Sequence, residues 1–324
     1  MLKFARLVTK IRGLGDTLRP ALEVCCGDGE ERSTAVSAHE GTTGGTEAAV
    51  GTAGDSYAMG KTEAETERLI RQSGFYAPFT RRLFERAGLV PGMRVLDVGT
   101  GAGDVALIAA EMVGSSGGVV GVDRNPEVLE TARARALALG LTNLTFVEGD
   151  AAALDLGRDF DAAIGRLVLM HQPDPAETLR SVAAEVRPGG VVAFQEYNVT
   201  TRSMVAFPPT PLWEEALGWI AAALERAGVE TEMGFKLRGA FVEAGLPEPR
   251  MELNAPVGGG PQWRGYEFAA GTVRTLLPLV ERFGIATAEE VGVETLAERL
   301  REEMVASGGV GKPPEMVSAW APKP

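Results

Sequence analysis

The chain has 324 residues, 45% of them hydrophobic and 23% charged, with a formal charge of −12. That composition supports a large buried core and excludes wholesale disorder. The negative balance argues against a protein that lives on nucleic acid or on an anionic membrane surface.

Two cysteines, Cys25 and Cys26, stand side by side. They provide neither a disulfide framework nor metal-ligand spacing, so no metal site is expected and a reducing, cytoplasmic setting fits. No apolar run approaches the ~20 residues of a membrane span.

Residues 1–56 are expected to form a poorly ordered extension. The first twenty carry Lys3, Arg6, Lys10, Arg12 and Arg19 against one acid, Asp16. The rest of the segment is rich in Gly, Thr, Ala, Ser and Glu, with no hydrophobic period. Such a segment buries too little apolar surface to offset its ordering entropy. A basic start also suits an organelle transit peptide. The simpler reading is an unstructured tail or an over-extended start, with Met59 as the true first residue.

From Tyr57 the pattern sharpens into one elaborated domain over 57–324. Thr62 and Glu65 form a capping box opening an amphipathic stretch with Leu69 and Ile70 on one face. Gly74 is expected to interrupt it and Pro78 to restart it, giving N-terminal helices over 57–91. Strands are then expected at Met93–Val98, Val119–Asp123, Leu144–Glu148, Phe160–Gly165 and Val191–Tyr197. Helices fall between them, at Val105–Val113, after an Asn125-Pro126 cap and after an Asp174-Pro175 cap. Arg187-Pro188-Gly189-Gly190 is expected to turn into the fifth strand. Continuous apolar strands alternating with helices mean an α/β, doubly wound, mostly parallel sheet covered on both faces. Beyond residue 198 a helical cap is expected, with helices at Pro211–Ala227 and Phe235–Ala244. Two last strands follow, at Arg250–Ala255 and Met316–Trp320. Between them lie two or three helices, one capped by Thr287 and Glu290.

The chemistry concentrates in Val95-Leu96-Asp97-Val98-Gly99-Thr100-Gly101-Ala102-Gly103-Asp104. A strand ends near an acid, passes a glycine loop and enters a helix, at the carboxyl edge where open parallel sheets bind ligands. The G-x-G-x-x-G of dinucleotide binders fails here, because Asp104 holds the sixth position. The Gly-Lys-Ser/Thr of a phosphate-binding loop is absent. Asp123 ends the second strand, with Arg124 beside it, and is placed to accept both hydroxyls of a ribose. Asp150 follows the third strand and is placed to accept from an adenine amino group. The theme is adenosine recognition without a phosphate cradle. Leu22 to Gly29 imitates the glycine loop, but Cys25 replaces its first glycine and no strand or helix pattern surrounds it.

Together these motifs resemble the class I S-adenosylmethionine-dependent methyltransferases, and within them the bacterial small-molecule branch near the ubiquinone and menaquinone enzymes. Five elements carry the likeness, in order over residues 92–198. They are the Asp97 glycine loop, Asp123, Asp150, the segment after strand four that leads to Asp174-Pro175, and Arg187-Pro188-Gly189-Gly190. The final 120 or so residues match the family only in their last two strands. The resemblance implies a seven-stranded Rossmann-like fold with S-adenosylmethionine as cofactor. It implies that Gly99, Gly101 and Gly103 pass under the methionine and ribose, and that Asp97 helps hold the amino group. Asp123 would take the ribose, Asp150 and the Ala151 amide the adenine, and Arg166 would lie near the methionine end.

Methyl transfer to a hydroxyl gains from a general base. Of the two histidines, His39 lies in the extension, so His171, in Leu169-Met170-His171-Gln172, is the candidate imidazole. The competing reading is a packed histidine at a strand end. Glu196 and Tyr197, ending strand five, are expected to face the same mouth, with Glu196 an alternative base or substrate anchor. The segment after strand four lacks the Asn/Asp-Pro-Pro-aromatic pattern of enzymes acting on nucleobase amines. It also lacks the clustered Asp/Asn ligands of a metal-dependent catechol enzyme. Phe75, Tyr76, Phe79, Trp213, Trp219, Trp263 and Tyr266 either line an acceptor pocket or pack as ordinary core. Tyr57 and Arg68 are candidates to close over the cofactor. The expected activity is methyl transfer to a small molecule, with oxygen favoured over nitrogen or carbon. A non-catalytic cofactor binder and a nicotinamide-dependent oxidoreductase are the alternatives. Monomer and homodimer both stay open.

Overall fold

A computed structural model describes residues 63–324 of the chain. The readings placed on residues 1–62, including Cys25, Cys26, His39, Tyr57, Met59 and Thr62, lie outside the described residues, as does the Arg68 side chain.

Helix α1 runs unbroken over Glu63–Ala87 with Pro78 inside it. The expected break at Gly74 is corrected. An interior proline removes one hydrogen bond and costs about 3 kcal/mol. Burial outweighs that cost, because Tyr76, Leu83 and Phe84 are all buried, each contributing roughly 1.5–3 kcal/mol.

The alternating segments follow as β1 (Arg94–Val98), α2 (Asp104–Val113), β2 (Gly118–Asp123), α3 (Pro126–Ala138) and β3 (Leu144–Glu148). After them come β4 (Phe160–Arg166), α4 (Pro175–Glu185) and β5 (Val186–Asn198). Both expected proline-led helix caps form: the Asn125 side chain accepts from Glu127 N–H, and that of Asp174 from Glu177 N–H. The later elements are β6 (Val205–Phe207), α5 (Pro211–Arg226), α6 (Met233–Glu243), β7 (Arg250–Asn254), α7 (Gly265–Arg282), α8 (Ala288–Val291), α9 (Leu296–Ala306), β8 (Val310–Lys312) and β9 (Glu315–Pro322).

Seven strands form one sheet in the order β3-β2-β1-β4-β5-β9-β7. β1 pairs in parallel with both β2 and β4, and β9 runs antiparallel to β5 and β7. Side-chain alternation sorts the sheet into two cores. Val95, Ala162, Ile164, Ala193 and Trp320 point to one face, with α2 and α3 residues such as Ala106 and Leu129. Leu96, Val98, Ala163, Val192 and Phe194 point to the other, with Leu179, Leu237 and Phe241. This two-sided burial is why the strands read as unbroken apolar runs. The chain leaves β1 toward β2 and β3, then returns to β4 on the far side. The binding crevice of such a sheet opens at that reversal, at the strands' carboxyl ends.

Two further readings are revised. Arg187–Gly190 is not a turn before β5 but a bulge inside it: Phe160 pairs with Val186 and Ala162 with Val191, so the residues between them oppose Asp161 alone. Gly189 takes φ 77° there. The cap also contains a two-stranded ribbon, β6 with β8, which the sequence did not announce because each strand has three residues. Among the described residues no helix is long and apolar enough to cross a membrane.

Candidate active site

The loop between β1 and α2 needs glycine at three positions, for three reasons. Gly99, Gly101 and Gly103 all have positive φ, at 62°, 52° and 83°, where an L side chain is strained. A Cβ on Gly99 would stand 2.7 Å from Val168 Cγ2, and one on Gly103 3.1 Å from Ala132 Cβ and 3.2 Å from the Phe146 ring. Around Gly101 nothing lies within 4 Å of that position. The outer two glycines therefore pack the loop against its own fold. The middle one turns a bare backbone toward open space.

Asp97 lies under this loop and is buried. Its Oδ2 accepts from the Thr100 hydroxyl at 2.6 Å. Its Oδ1 is buried without a hydrogen-bond donor among the described residues. Burial pushes the carboxyl up to about 7, against the pull of the Thr100 hydroxyl and the Arg166 guanidinium. Arg166, at the end of β4, is itself nearly buried. It donates to Thr80 Oγ1 at 3.0 Å and stands 4.0 Å from Asp104. The relay continues as Thr80 donates to Gln195 Oε1 at 2.8 Å and Gln195 donates to Ser318 at 2.9 Å. Asp104 also pairs with Arg135 at 2.6 Å. Sequence reasoning missed Thr80, Thr100, Asp104, Arg135 and Gln195. The signal for Gln195 was available, since a polar residue in an apolar buried strand needs a partner.

Asp123 closes the loop from β2. One oxygen accepts from Gly101 N–H and the other from Asn125 N–H, both at 2.9 Å. Each oxygen keeps lone-pair capacity for a further donor. Asp150 accepts from Ala152 N–H at 3.0 Å, and Arg124 lies 3.8 Å from it. Ala151 is buried beside it. Asp97 and Asp123 thus lie at the carboxyl ends of β1 and β2 and Asp150 two residues past β3, the three strands being neighbours in the sheet.

At the end of β5 the sequence reading is corrected for both residues expected at the mouth, and Tyr197 is buried against Tyr76. Glu196 does not open into the mouth. It is buried, and its carboxylate accepts from the backbone N–H groups of Val168 at 2.9 Å, Leu169 at 2.7 Å and Met170 at 3.3 Å. Strand alternation turned it inward, toward a turn the sequence did not reveal. Burial pushes its carboxyl up to about 7, against the pull of those three N–H groups. His171 ends that one-turn 3-10 helix, Leu169–His171, and is partly exposed.

The aromatic residues pack chiefly on one another. The rings of Phe75 and Phe268 stack at 5.1 Å and 17°, while Tyr76 meets Tyr197 at 5.1 Å. Trp263 contacts Trp213 at 5.2 Å and Tyr266 at 5.1 Å. The Tyr76 hydroxyl donates to Pro314 O at 2.9 Å, tying α1 to the chain before β9. Burial and the neighbouring Tyr197 hold the Tyr76 hydroxyl well above the usual phenol range. These rings form a continuous aromatic body from α1 through β5 to α7 and α5.

The sheet, ordered 3-2-1-4-5-7-6 in its own strands, carries a glycine loop after its first strand, carboxylates at or just past the ends of the next two and an antiparallel seventh strand. The comparisons give the class. A family profile described as a methyltransferase domain matches residues 89–225. The 2-phytyl-1,4-naphtoquinone methyltransferase of Synechococcus elongatus is 30% identical over 218 residues, 63% of this chain and 86% of that protein. Aklanonic acid methyltransferase of a Streptomyces species is 36% identical over 146 residues, 44% of this chain and 66% of that one. The crystal structure of a putative methyltransferase from Bacillus halodurans covers 76% of this chain and 98% of its own, at 19% identity and TM-score 0.51, and shows the shared fold. The chain spans about half to two thirds of the length of the first curated relatives it matches. It belongs to the S-adenosylmethionine-dependent methyltransferase family.

Proposed function

We propose that this chain moves a methyl group from S-adenosylmethionine to a hydroxyl of a small, largely apolar aromatic acceptor, in the cytoplasm. The observation that carries the reading is that Asp97, Asp123 and Asp150 fall at or just past the carboxyl ends of three neighbouring strands, with Asp123 bonded to the open backbone of Gly101. The donor set fits this cofactor. The Asp97 carboxylate, buried and held by the Thr100 hydroxyl through one oxygen, suits a cationic amino group at the other. Asp123 has capacity for two ribose hydroxyls beyond the N–H groups it already holds.

When bound, S-adenosylmethionine supplies an electrophilic methyl group on a sulfonium. Asp97 would hold its amino end and the buried Arg166 the same methionine end. Gly99, Gly101 and Gly103 would carry the backbone beneath it. Asp123 would hold the ribose. Asp150 and the Ala151 amide would hold the adenine, flanked by Arg124. His171 accepts the acceptor's hydroxyl proton at an imidazole nitrogen, worth typically ~10²–10⁴-fold in rate. Alignment of the two reactants contributes more, up to about 7–11 kcal/mol in ideal cases. A planar aromatic acceptor is in line with the naphthoquinone named for one relative. The test is transfer of labelled methyl from S-adenosylmethionine to a panel of hydroxylated naphthoquinones and simple phenols by the full chain. Label in the organic product supports the reading. Cofactor binding with no label on any panel member contradicts it.

A further inference from the structure

We propose that Glu196 is a positioning residue: by clamping the turn after β4 it sets Val168 against the cofactor loop and His171 at the far end of the same turn. The assignment to catalysis rests on the methyltransferase reading above. Three successive backbone N–H groups, of Val168, Leu169 and Met170, converge on the Glu196 carboxylate. Convergent N–H groups of this kind form an anion receptor, and here the anion is the chain's own. The turn is entered through Leu167 at φ 59°, a conformation that a non-glycine residue keeps only when its surroundings impose it. Leu167 N–H still donates to Gln195 O at 2.9 Å. Strand pairing therefore holds up to the strained residue, and the clamp takes over immediately after it.

Both ends of the clamped unit meet the site. Val168 occupies the space a Cβ on Gly99 would need, 2.7 Å from Cγ2. His171 N–H donates to Val168 O at 3.1 Å, closing the short helix. Both Glu196 oxygens are engaged by backbone, so the carboxylate acts through the turn and not on the reactants. Burying a carboxylate carries a desolvation cost that an apolar side chain at the same place would avoid. An ordered anion receptor bridging the cofactor loop and the imidazole gives that cost a function.

The experiment is imidazole 1H–13C spectroscopy of the full chain, which has only His39 and His171. His171→Ala assigns the two sets of signals. Glu196→Gln keeps the shape but loses the charge and sets an amide donor against the turn's N–H groups. In folded Glu196→Gln the His171 signals are expected to shift or broaden. S-adenosylhomocysteine affinity is expected to fall roughly 2- to 30-fold. His171 signals superimposable on wild type would overturn the proposal. If the variant does not fold, amide exchange in the wild-type chain decides. Slow exchange at Val168, Leu169 and Met170 supports the clamp, and exchange at exposed-loop rates overturns it. Failure of the wild-type chain to bind S-adenosylhomocysteine would sink the methyltransferase reading, yet the ligand-free His171 signals would still decide whether Glu196 sets the turn.

Discussion

The carboxyl ends of β1–β3 and those of β4–β5 with the cap solve different problems. The first region is polar, with contacts that span 2 to 22 residues. Asp97 meets Thr100 three residues on, Asp123 reaches Gly101 and Asn125, and Asp150 caps its own turn. The second is aromatic and long-range, joining Phe75 to Phe268 and Tyr76 to Pro314.

The sharpest way to break this division is His171→Ala. Turnover is expected to fall about 10²–10⁴-fold, with S-adenosylhomocysteine affinity little changed in calorimetric titration. Unchanged turnover would remove His171 as the base. Phe268→Ala should do the reverse of a site mutation. Truncating this buried ring should cost about 3–5 kcal/mol of stability in denaturant unfolding, while the folded fraction still binds S-adenosylhomocysteine normally. A matching loss of cofactor affinity would show that the two regions are not separable.

The buried carboxyls give a pH signature. Glu196 and Asp97 are raised to about 7 in the folded chain, from 4.5 and 3.8. An acid raised on folding keeps its proton while the unfolded chain has already released it. Its stabilising contribution is therefore full below the unfolded value and is lost as pH rises through about 7. The loss is at most about 1.4 kcal/mol per pH unit for each group. Thermal melts of Glu196→Gln between pH 5 and 8 should show a flatter decline than wild type, and an identical slope would contradict the raised value. The ribose site gives a further test. Asp123→Ala loses one or two charge-assisted bonds of about 1.5–3 kcal/mol each, so S-adenosylhomocysteine should bind roughly tenfold or more weakly. Unchanged affinity in a folded variant would remove the ribose assignment.

The same contrast explains what could be read from the chain alone. The strands, the proline-led caps at Asn125 and Asp174 and the glycine loop were legible because each is encoded within a few residues. Glu196 was misread because its partners lie 26–28 residues earlier, in a turn entered through a strained Leu167. Arg166 was placed near the methionine end without its partners, because Thr80 comes from α1 and Asp104 from α2. The unbroken α1 was missed because local rules for Gly74 and Pro78 are overridden by buried rings on the same helix. The β6–β8 ribbon was missed because three residues carry no period.

The most direct test of the central claim is calorimetric titration of the full chain with S-adenosylmethionine, S-adenosylhomocysteine and NADH. Micromolar binding of the first two and none of NADH is the expected result. Binding of NADH, or of neither sulfur compound, would contradict the assignment of Asp97, Asp123 and Asp150 to this cofactor.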